Sequence, residues 1–313
     1  MPRNTKIEEQ LFPVWEQPVF LENSNKPIPG FKAIAGKPNV ASEKVFSIVS
    51  NKYLLVTNQE ALYLGNQIHQ KLFPGAQENT FEVFNIIAPD SKSFCQIDII
   101  EKNYTLNIWK QEVYVPFIRI HNSYNRSRSL KFDIGFCRKL CDNGMIFEQE
   151  TVKIKFAHTK NAISLEGIDK INVEHLRKLE QDFITKMKKS TEIKIPRKFF
   201  LPLAAKTLKR SFVTHENDIN KKKRVEHKIE LFKNSISEYS ERYIDKEQMG
   251  ETAYAFYNVI SDYASNNGIL QAGARNGLQQ ICGMWINHVG QLVAKSEFNW
   301  NHEIKNYEYL LQH

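Results

Sequence analysis

The chain has 313 residues, of which 42% are hydrophobic and 12% aromatic, so it can bury one large core or two modest ones. That composition excludes an intrinsically disordered chain. Lys and Arg together number 43 against 35 Asp and Glu, which gives a net charge of +8 and a pI near 9.1. The positive excess favours polyanionic partners without identifying one.

The sequence predicts neither export nor insertion into a membrane. Residues 1–10 lack the apolar core of a signal peptide, and no apolar run approaches the roughly 20 residues of a membrane-spanning helix. Four cysteines without an export signal favour reduced thiols over disulfide bonds. We therefore expect a cytoplasmic protein without a membrane partner.

The first half of the chain predicts strands and one helix. Residues 1–45 mix prolines and glycines with polar residues, which predicts an irregular N-terminal arm. Residues 47–56 then predict a strand and residues 58–73 a capped helix, which together form a βα unit. Short alternating runs between Phe81 and Phe156 indicate a mostly antiparallel sheet. Residues 46–164 are therefore expected to form an α+β sheet domain.

Residues 165–313 predict a mainly helical region. This region either forms a separate domain or packs on the sheet as part of one domain. One apolar face there steps by three and four residues, as a helix requires, and consists of Val225, Ile229, Phe232, Ile236, Tyr239 and Tyr243. That face either packs on its own domain or docks on a second subunit, and the second interpretation predicts a homo-oligomer. The predicted fold class is α+β, with an N-terminal βα unit and a mostly antiparallel sheet followed by a mainly helical C-terminal half.

A polar segment in the middle of the chain is a candidate binding loop. It supplies an amide, hydroxyls and guanidinium groups from Asn122, Ser123, Tyr124, Arg126 and Arg128. Such a loop can hydrogen-bond phosphate oxygens and stack a base on the tyrosine ring, although a solvated polar loop has the same composition. Two further cations that follow, Arg138 and Lys139, extend the predicted nucleic-acid-binding set.

Clustered cations in the helical region add to that set. Four of them are consecutive at the start of the predicted oligomer helix, namely Lys221, Lys222, Lys223 and Arg224. They oppose the positive end of a helix, so bound phosphate, nearby carboxylates or solvent must compensate. A second basic patch, in which Phe199 and Phe200 are interleaved, suits single-stranded nucleic acid or a domain interface and comprises Arg197, Lys198, Lys206, Lys209 and Arg210.

The chain resembles the phage/plasmid-like proteins grouped as domain of unknown function 932. The resemblance lies in Asn122-Ser123-Tyr124, in residues 135–145, in His158-Thr159 and in residues 252–265, and it spans roughly residues 45 to 290. Relatives usually carry an acidic residue and a glycine where this chain has Asn125 and Arg126. The resemblance implies a protein carried by mobile elements such as phages, with no catalytic residue to transfer, and associates it with DNA transactions or interference with host defence.

Two sets of residues raise metal chemistry as an alternative. His121, Cys137, Cys141 and His158 have the identities of zinc ligands, but two cysteines four residues apart on one strand are about 13 Å apart. Asp90 with Glu192 and Lys194 has the composition of a nuclease carboxylate set, although about a hundred residues separate its parts. No phosphate-binding glycine loop occurs, and we expect no cofactor and no metal.

The sequence therefore favours a non-enzymatic, phage/plasmid-type protein that binds nucleic acid through basic loops and helices, and an oligomer is expected from the apolar helix face. A first alternative is a protein-binding inhibitor of a host defence or restriction system, for which the same origin and body are equally suitable. A second alternative is a metal-dependent nuclease. The partner, nucleic acid or host protein, distinguishes the first two hypotheses.

Overall fold

A computed structural model describes most of the chain, namely residues 7–23, 25–39, 42–73, 81–101, 103–109, 112–138, 144–145, 153–156, 158, 173–210, 219–266 and 272–312. The chain divides into two compact units. Unit 1 comprises Met1–Leu106, Tyr114–Cys137 and Glu150–Lys178, and unit 2 comprises Asn107–Val113, Arg138–Gln149 and Leu179–His313. The predicted α+β class is confirmed, because antiparallel sheets come first and a mostly helical half follows.

A three-stranded antiparallel sheet replaces much of the irregular arm predicted for residues 1–45. Its strands, in the order β1-β2-β3, are β1 (Val14–Phe20), β2 (Pro27–Asn39) and β3 (Ser42–Ser50). The prolines that suggested irregular backbone lie where the ladder tolerates them. Pro18 is on an edge strand, Pro29 precedes the residues of β2 that pair with β3, and Pro38 lies at a register shift.

The main sheet of unit 1 runs in the order β10-β8-β7-β5-β4. Its strands are β4 (Phe81–Ile87), β5 (Phe94–Glu101), β7 (Glu112–Ser123), β8 (Leu130–Arg138) and β10 (Lys153–Phe156). The chain also contains the short strands β6 (Leu106–Trp109) and β9 (Gly144–Met145), and β9 lies in unit 2. The pairs β4–β5, β5–β7 and β8–β10 are antiparallel, as the alternating sequence predicted.

Helix α1 (Asn58–Leu72) covers one face of this sheet and forms the core of unit 1 with it. Thr57 caps the helix, and its hydroxyl accepts a hydrogen bond from the Glu60 amide while the Glu60 carboxylate accepts one from the Thr57 amide. Gly65 faces β7 so closely that a Cβ atom there would clash with Ile120. Alternate residues of β5 and β7, such as Ile97 and Ile118, complete the core.

The remaining helices belong to the second half of the chain. They are α2 (Val173–Ser190), α3 (Phe200–Thr207), α4 (Ile219–Ser240), α5 (Ala253–Asn266), α6 (Ala272–Val293) and α7 (Trp300–Glu303). Helix α5 is buried from Ala253 to Ala264, and its Phe256 packs edge to face on Phe200 and on Trp285. Among the described helices, none is both long and apolar enough to cross a membrane.

The apolar face predicted on α4 packs largely inside unit 2. Phe232 and Ile236 are buried, and the Phe232 ring contacts Tyr263 of α5. Tyr243, in the π-helical turn Glu241–Lys246 that continues α4, is fully buried and donates its hydroxyl proton to Asp262. The oligomer interface predicted along this face is therefore corrected at these three residues, because their own unit covers them.

Candidate functional site

The Asn-Ser-Tyr element of the predicted binding loop is buried and holds unit 1 together. Asn122 is 2% exposed and donates from its amide to the Val56 carbonyl at 2.9 Å and to the Asn58 Oδ1 at 3.0 Å. The Ser123 hydroxyl donates to the Arg128 carbonyl at 2.7 Å and accepts from the Arg128 amide at 3.1 Å. These bonds connect the end of β7 to the start of α1 and close the turn that follows β7.

Tyr124 is enclosed as well, with 1% of its surface exposed. Its hydroxyl accepts a hydrogen bond from the Asn58 amide at 2.9 Å, and its ring contacts Phe12 and Phe46 at centroid distances of 5.9 and 5.2 Å. Burial raises the pKa of its hydroxyl far above the ordinary value of 10.0. Asn122, Ser123 and Tyr124 are therefore unavailable to a phosphate or a base, which corrects the predicted role of all three.

The two arginines of this loop differ in exposure. Arg128 is half-buried, and its guanidinium lies 4.3 Å from the centroid of the Phe94 ring, so it packs on the sheet. Arg126 is exposed and has a φ of 60°, in the left-handed region that favours glycine. A glycine would adopt this backbone conformation at Arg126 without steric cost. Only Arg126 remains from this loop as an exposed cation.

The basic start of α4 is the second predicted region. Lys223 and Arg224 are exposed, and neither forms an ion pair with any residue that the structure describes. The side chains of Lys221, Lys222 and Arg138, and the whole of Lys139, lie outside the described part of the chain. The described cations of this segment are thus accessible and unneutralised.

The second basic patch is partly neutralised. Arg197 forms an ion pair with Asp245 at 2.8 Å, and Lys206 forms one with Glu303 at 2.5 Å. Lys198 is exposed and forms no ion pair within the described ranges. Phe199 and Phe200 are buried at 4% and 1% exposure, so they belong to the core of unit 2 and cannot stack a base.

The two histidines considered as metal ligands have other partners in the structure. His121 hydrogen-bonds Asp133, whereas His158 stacks on Tyr53 at a centroid distance of 4.8 Å and bonds the Leu54 carbonyl. The Cys137 side chain and the whole of Cys141 lie outside the described residues. Within the described ranges, no three His, Cys, Asp or Glu side chains gather as a metal site would require.

The nuclease carboxylates lie on surface turns. Asp90 is exposed in a turn of unit 1, and Glu192 is exposed in a turn of unit 2 together with the exposed Lys194. None of the three makes a described contact with a second carboxylate. The nuclease alternative stays a prediction without added support.

A buried charged network, which the sequence reasoning missed, occupies the sheet face opposite α1. The Asp98 carboxylate accepts two hydrogen bonds of 2.7 Å from Nε and Nη2 of Arg119, its register partner on β7. Next to this pair, the Asp133 Oδ2 accepts from His121 at 3.0 Å and from Lys131 at 2.6 Å. Asp98, Arg119 and Asp133 are at most 2% exposed, so the network is interior.

Two polar atoms of this network have no hydrogen-bond partner in the described structure: Gln96 Nε2 and Asp133 Oδ1. Gln96 pairs with His121 across β5 and β7 and therefore lies on the same face. Burial acts against the Asp133 carboxylate, but hydrogen bonds from His121 and Lys131 hold its pKa below the ordinary 3.8. Since a buried carboxylate accepts hydrogen bonds only, the proton of His121 lies on Nε2.

A signal for this network was present in the sequence. In β5 the polar Gln96 and Asp98 alternate with isoleucines, and in β7 Arg119 and His121 alternate in the same way. A half-exposed sheet face produces the same alternation, so the pattern alone predicts polar residues facing water. Only the structure shows that this face is covered.

The buried histidines make stability depend on pH. Burial lowers the pKa of His69, His121 and His158 below the ordinary 6.5, so the unfolded chain binds more protons than the folded chain as the pH falls. The contribution of these neutral histidines to the free energy of unfolding is complete above pH 6.5 and is lost progressively as the pH falls below it. We expect a smaller free energy of unfolding at about pH 5 than at about pH 7.5 in urea titrations, and a shallower dependence for His158→Gln. An unchanged slope in His158→Gln, with the exposed His227→Gln as control, would contradict this.

Comparison with known proteins supports the resemblance seen in the sequence. A family model described as Domain of unknown function (DUF932) matches residues 45–285, well over half of the chain. No match is found among curated proteins or among solved structures. The matched range includes the buried Asn-Ser-Tyr element, the charged network and helices α1 to α5. The chain therefore belongs to the family Domain of unknown function (DUF932).

Proposed function

We propose that this protein binds nucleic acid through exposed cations, without being an enzyme. The observation that carries the proposal is the start of α4, where Lys223 and Arg224 are exposed and unpaired among the described residues. Five of the ten residues from 219 to 228 are Lys or Arg and one is Glu. Phosphate oxygens bound there would offset the unfavourable placement of cations at a helix start. A phage or plasmid origin, which the family resemblance implies, is compatible with such a partner.

Neutralising this segment is the direct test. We expect the variant Lys221→Gln, Lys222→Gln, Lys223→Gln and Arg224→Gln to bind DNA roughly 10- to 100-fold more weakly at moderate salt, because phosphate contacts are lost. The slope of log affinity against log salt should decrease by about 0.9 for each phosphate contact removed from duplex DNA. Fluorescence anisotropy at several salt concentrations measures both quantities.

The matched control removes the same number of positive charges from other parts of the surface. The exposed lysines Lys26, Lys52, Lys188 and Lys295 lie on other parts of the surface, and replacing them by Gln removes the same formal charge. If this control loses affinity and slope as much as the α4 variant, net charge and not the α4 segment causes binding. Absence of DNA and RNA binding by the unaltered protein at low salt would overturn the proposal.

Arg126 offers a test in unit 1 that separates binding from stability. A non-glycine residue at φ 60° costs about 1 kcal/mol, so Arg126→Gly should leave the free energy of unfolding unchanged or raise it. The same substitution removes an exposed cation and should weaken nucleic-acid binding about two- to fivefold. Urea denaturation and anisotropy on one preparation measure both effects. A stabilised variant with unaltered affinity would show that Arg126 does not contact the ligand.

A second candidate function, binding of a host protein, is favoured by an apolar patch on the three-stranded sheet. Phe31, Val45 and Ile48 are 51%, 53% and 56% exposed. The register pairs Ile48 with Ala33 and Val45 with Ala35, and these alanines lie on the same face of β2 as Phe31. Exposed apolar surface of this kind marks protein interaction sites. It is the surface that an inhibitor of a host defence or restriction system would use.

Affinity purification from the host, with and without nuclease treatment, distinguishes the two functions. A protein partner should remain after nuclease treatment and be lost from the variant Phe31→Ser with Ile48→Ser. Partners that are lost after nuclease treatment, and that the α4 variant also fails to capture, would favour nucleic acid. Phe31 and Ile48 are both more than half exposed, so the variant that replaces them should fold.

A further inference from the structure

Residues 193–198 of unit 2 separate two surface pockets that differ in character. Ile193 and Lys194 line one pocket, and Arg197 and Lys198 line the other. Backbone hydrogen bonds hold the segment in place, since the Ala253 amide donates to the Ile193 carbonyl at 2.8 Å and the Ile195 amide to the Glu251 carbonyl at 3.0 Å. Three exposed cations thus project from a fixed stretch of backbone between the pockets.

The first pocket is aromatic. It has a volume of about 400 Å³, within the range of small-molecule sites, and Phe298 and Trp300 form part of its wall. The two rings are half-buried and meet edge to face with centroids 4.7 Å apart. The Trp300 indole donates to the Lys194 carbonyl at 3.0 Å, which fixes the ring beside the backbone of an exposed lysine. A planar apolar group can enter here with an anionic group at Lys194.

The second pocket is basic. Its volume is about 200 Å³, and Lys198 and Lys233 contribute ammonium groups that form no ion pair with the described residues. The Arg197 ion pair with Asp245 is solvent-exposed, with 43% and 48% of the side chains accessible, so an incoming anion can replace it. Ser237 adds an exposed hydroxyl. These cations and the hydroxyl can hold a phosphate group, and apolar residues such as Leu201 and Leu310 form the rest of the lining.

The basic pocket also connects with the start of α4. Lys233 lies on the same helix as Lys223, ten residues further along, which is about 15 Å of helix. Lys194 and Lys198 are four residues apart, a reach of at most roughly 14 Å. The aromatic pocket, the basic pocket and the α4 cations are therefore successive positions on unit 2 that one flexible polyanion can follow.

We propose that this surface binds single-stranded nucleic acid, with one base in the pocket of Phe298 and Trp300 and the backbone phosphates on Lys194, Lys198 and Lys233. The inference rests on the proposed nucleic-acid binding and specifies its substrate class. A duplex cannot insert a base, because its bases are paired and stacked, whereas a single strand presents both base faces and phosphates. The unit therefore prefers single strands to duplexes of the same sequence.

The test compares a fluorescent single-stranded oligonucleotide with its duplex. We expect Phe298→Leu and Lys194→Gln to weaken single-strand binding about 5- to 100-fold and about 2- to 10-fold, and to leave duplex binding unchanged. Tyr63→Leu and Lys295→Gln are the matched controls, because Tyr63 is an exposed aromatic residue and Lys295 an exposed lysine outside both pockets.

A second measurement is independent of affinity. Oligonucleotide binding should quench tryptophan fluorescence in the unaltered protein, and most of that quenching should disappear in Trp300→Phe, which keeps an aromatic ring in the pocket. Equal affinity for single strands and duplexes, with Phe298→Leu and Lys194→Gln binding normally while the α4 variant loses binding, would overturn this inference and leave the proposed function standing. If the unaltered protein binds neither single strands nor duplexes, both this inference and the proposed function are overturned.

Discussion

Replacing Asp98 by Asn is expected to lower the free energy of unfolding by about 3–5 kcal/mol. The Asp98 carboxylate is 2% exposed and accepts two hydrogen bonds from the fully buried Arg119 guanidinium. An asparagine removes the negative charge and can offer only one oxygen, so the buried guanidinium loses the ion pair with Asp98. Urea denaturation monitored by circular dichroism measures the change. Asp90→Asn, an exposed aspartate of the same unit, is the control and should change stability by less than about 0.5 kcal/mol.

A double-mutant cycle separates the ion pair from other effects at the two positions. Asp98→Asn and Arg119→Met should each be strongly destabilising, and together they should cost clearly less than the sum of the single effects. The coupling between them reports the interaction across β5 and β7. Additive losses, or a loss below about 1 kcal/mol for Asp98→Asn, would show that the pair does not hold the sheet together.

Local sequence patterns were sufficient to predict the elements whose signals are local. The helical pattern of residues 58–73 located α1, and alternation between apolar and polar residues located β5, β7 and β8. Prolines misdirected the prediction for residues 1–45, because sequence alone does not show which strand is an edge and which residues of a strand are paired. The three-stranded sheet depends on that long-range information.

The predicted binding loop failed for a related reason. Asn122, Ser123 and Tyr124 have the composition of a solvated loop. The partners of Asn122 and Tyr124, which are Val56 and Asn58, are more than sixty residues away in the chain. Polar residues that form buried structural hydrogen bonds and polar residues that bind a ligand are of the same types, so a sequence does not distinguish them. Burial distinguishes them, and burial results from tertiary packing. Lys223 and Arg224 of α4 are exposed, as charges at helix starts usually are, and their role in binding stays a prediction.

Tyr124 provides the sharpest contrast between the structural role seen here and the base-stacking role expected from sequence. Tyr124→Ala should lower the free energy of unfolding by about 3–5 kcal/mol, because the ring fills space between Phe12 and Phe46. Tyr124→Phe keeps that packing and leaves the buried Asn58 amide without its acceptor, for a loss of about 1–3 kcal/mol. Urea titrations of both variants measure these losses, with Tyr63→Phe, on the exposed face of α1, as the control.

Nucleic-acid affinity decides between the two roles of Tyr124. Tyr124→Phe should bind nucleic acid normally in either role, at a temperature where it is folded. Tyr124→Leu distinguishes the roles, because it should lose affinity with little change in stability if the ring stacks a base. A stable, weakly binding Tyr124→Leu variant would therefore contradict the buried position. The opposite result, an unstable variant with normal affinity when folded, follows from a tyrosine that connects β7 to α1 and never meets the ligand.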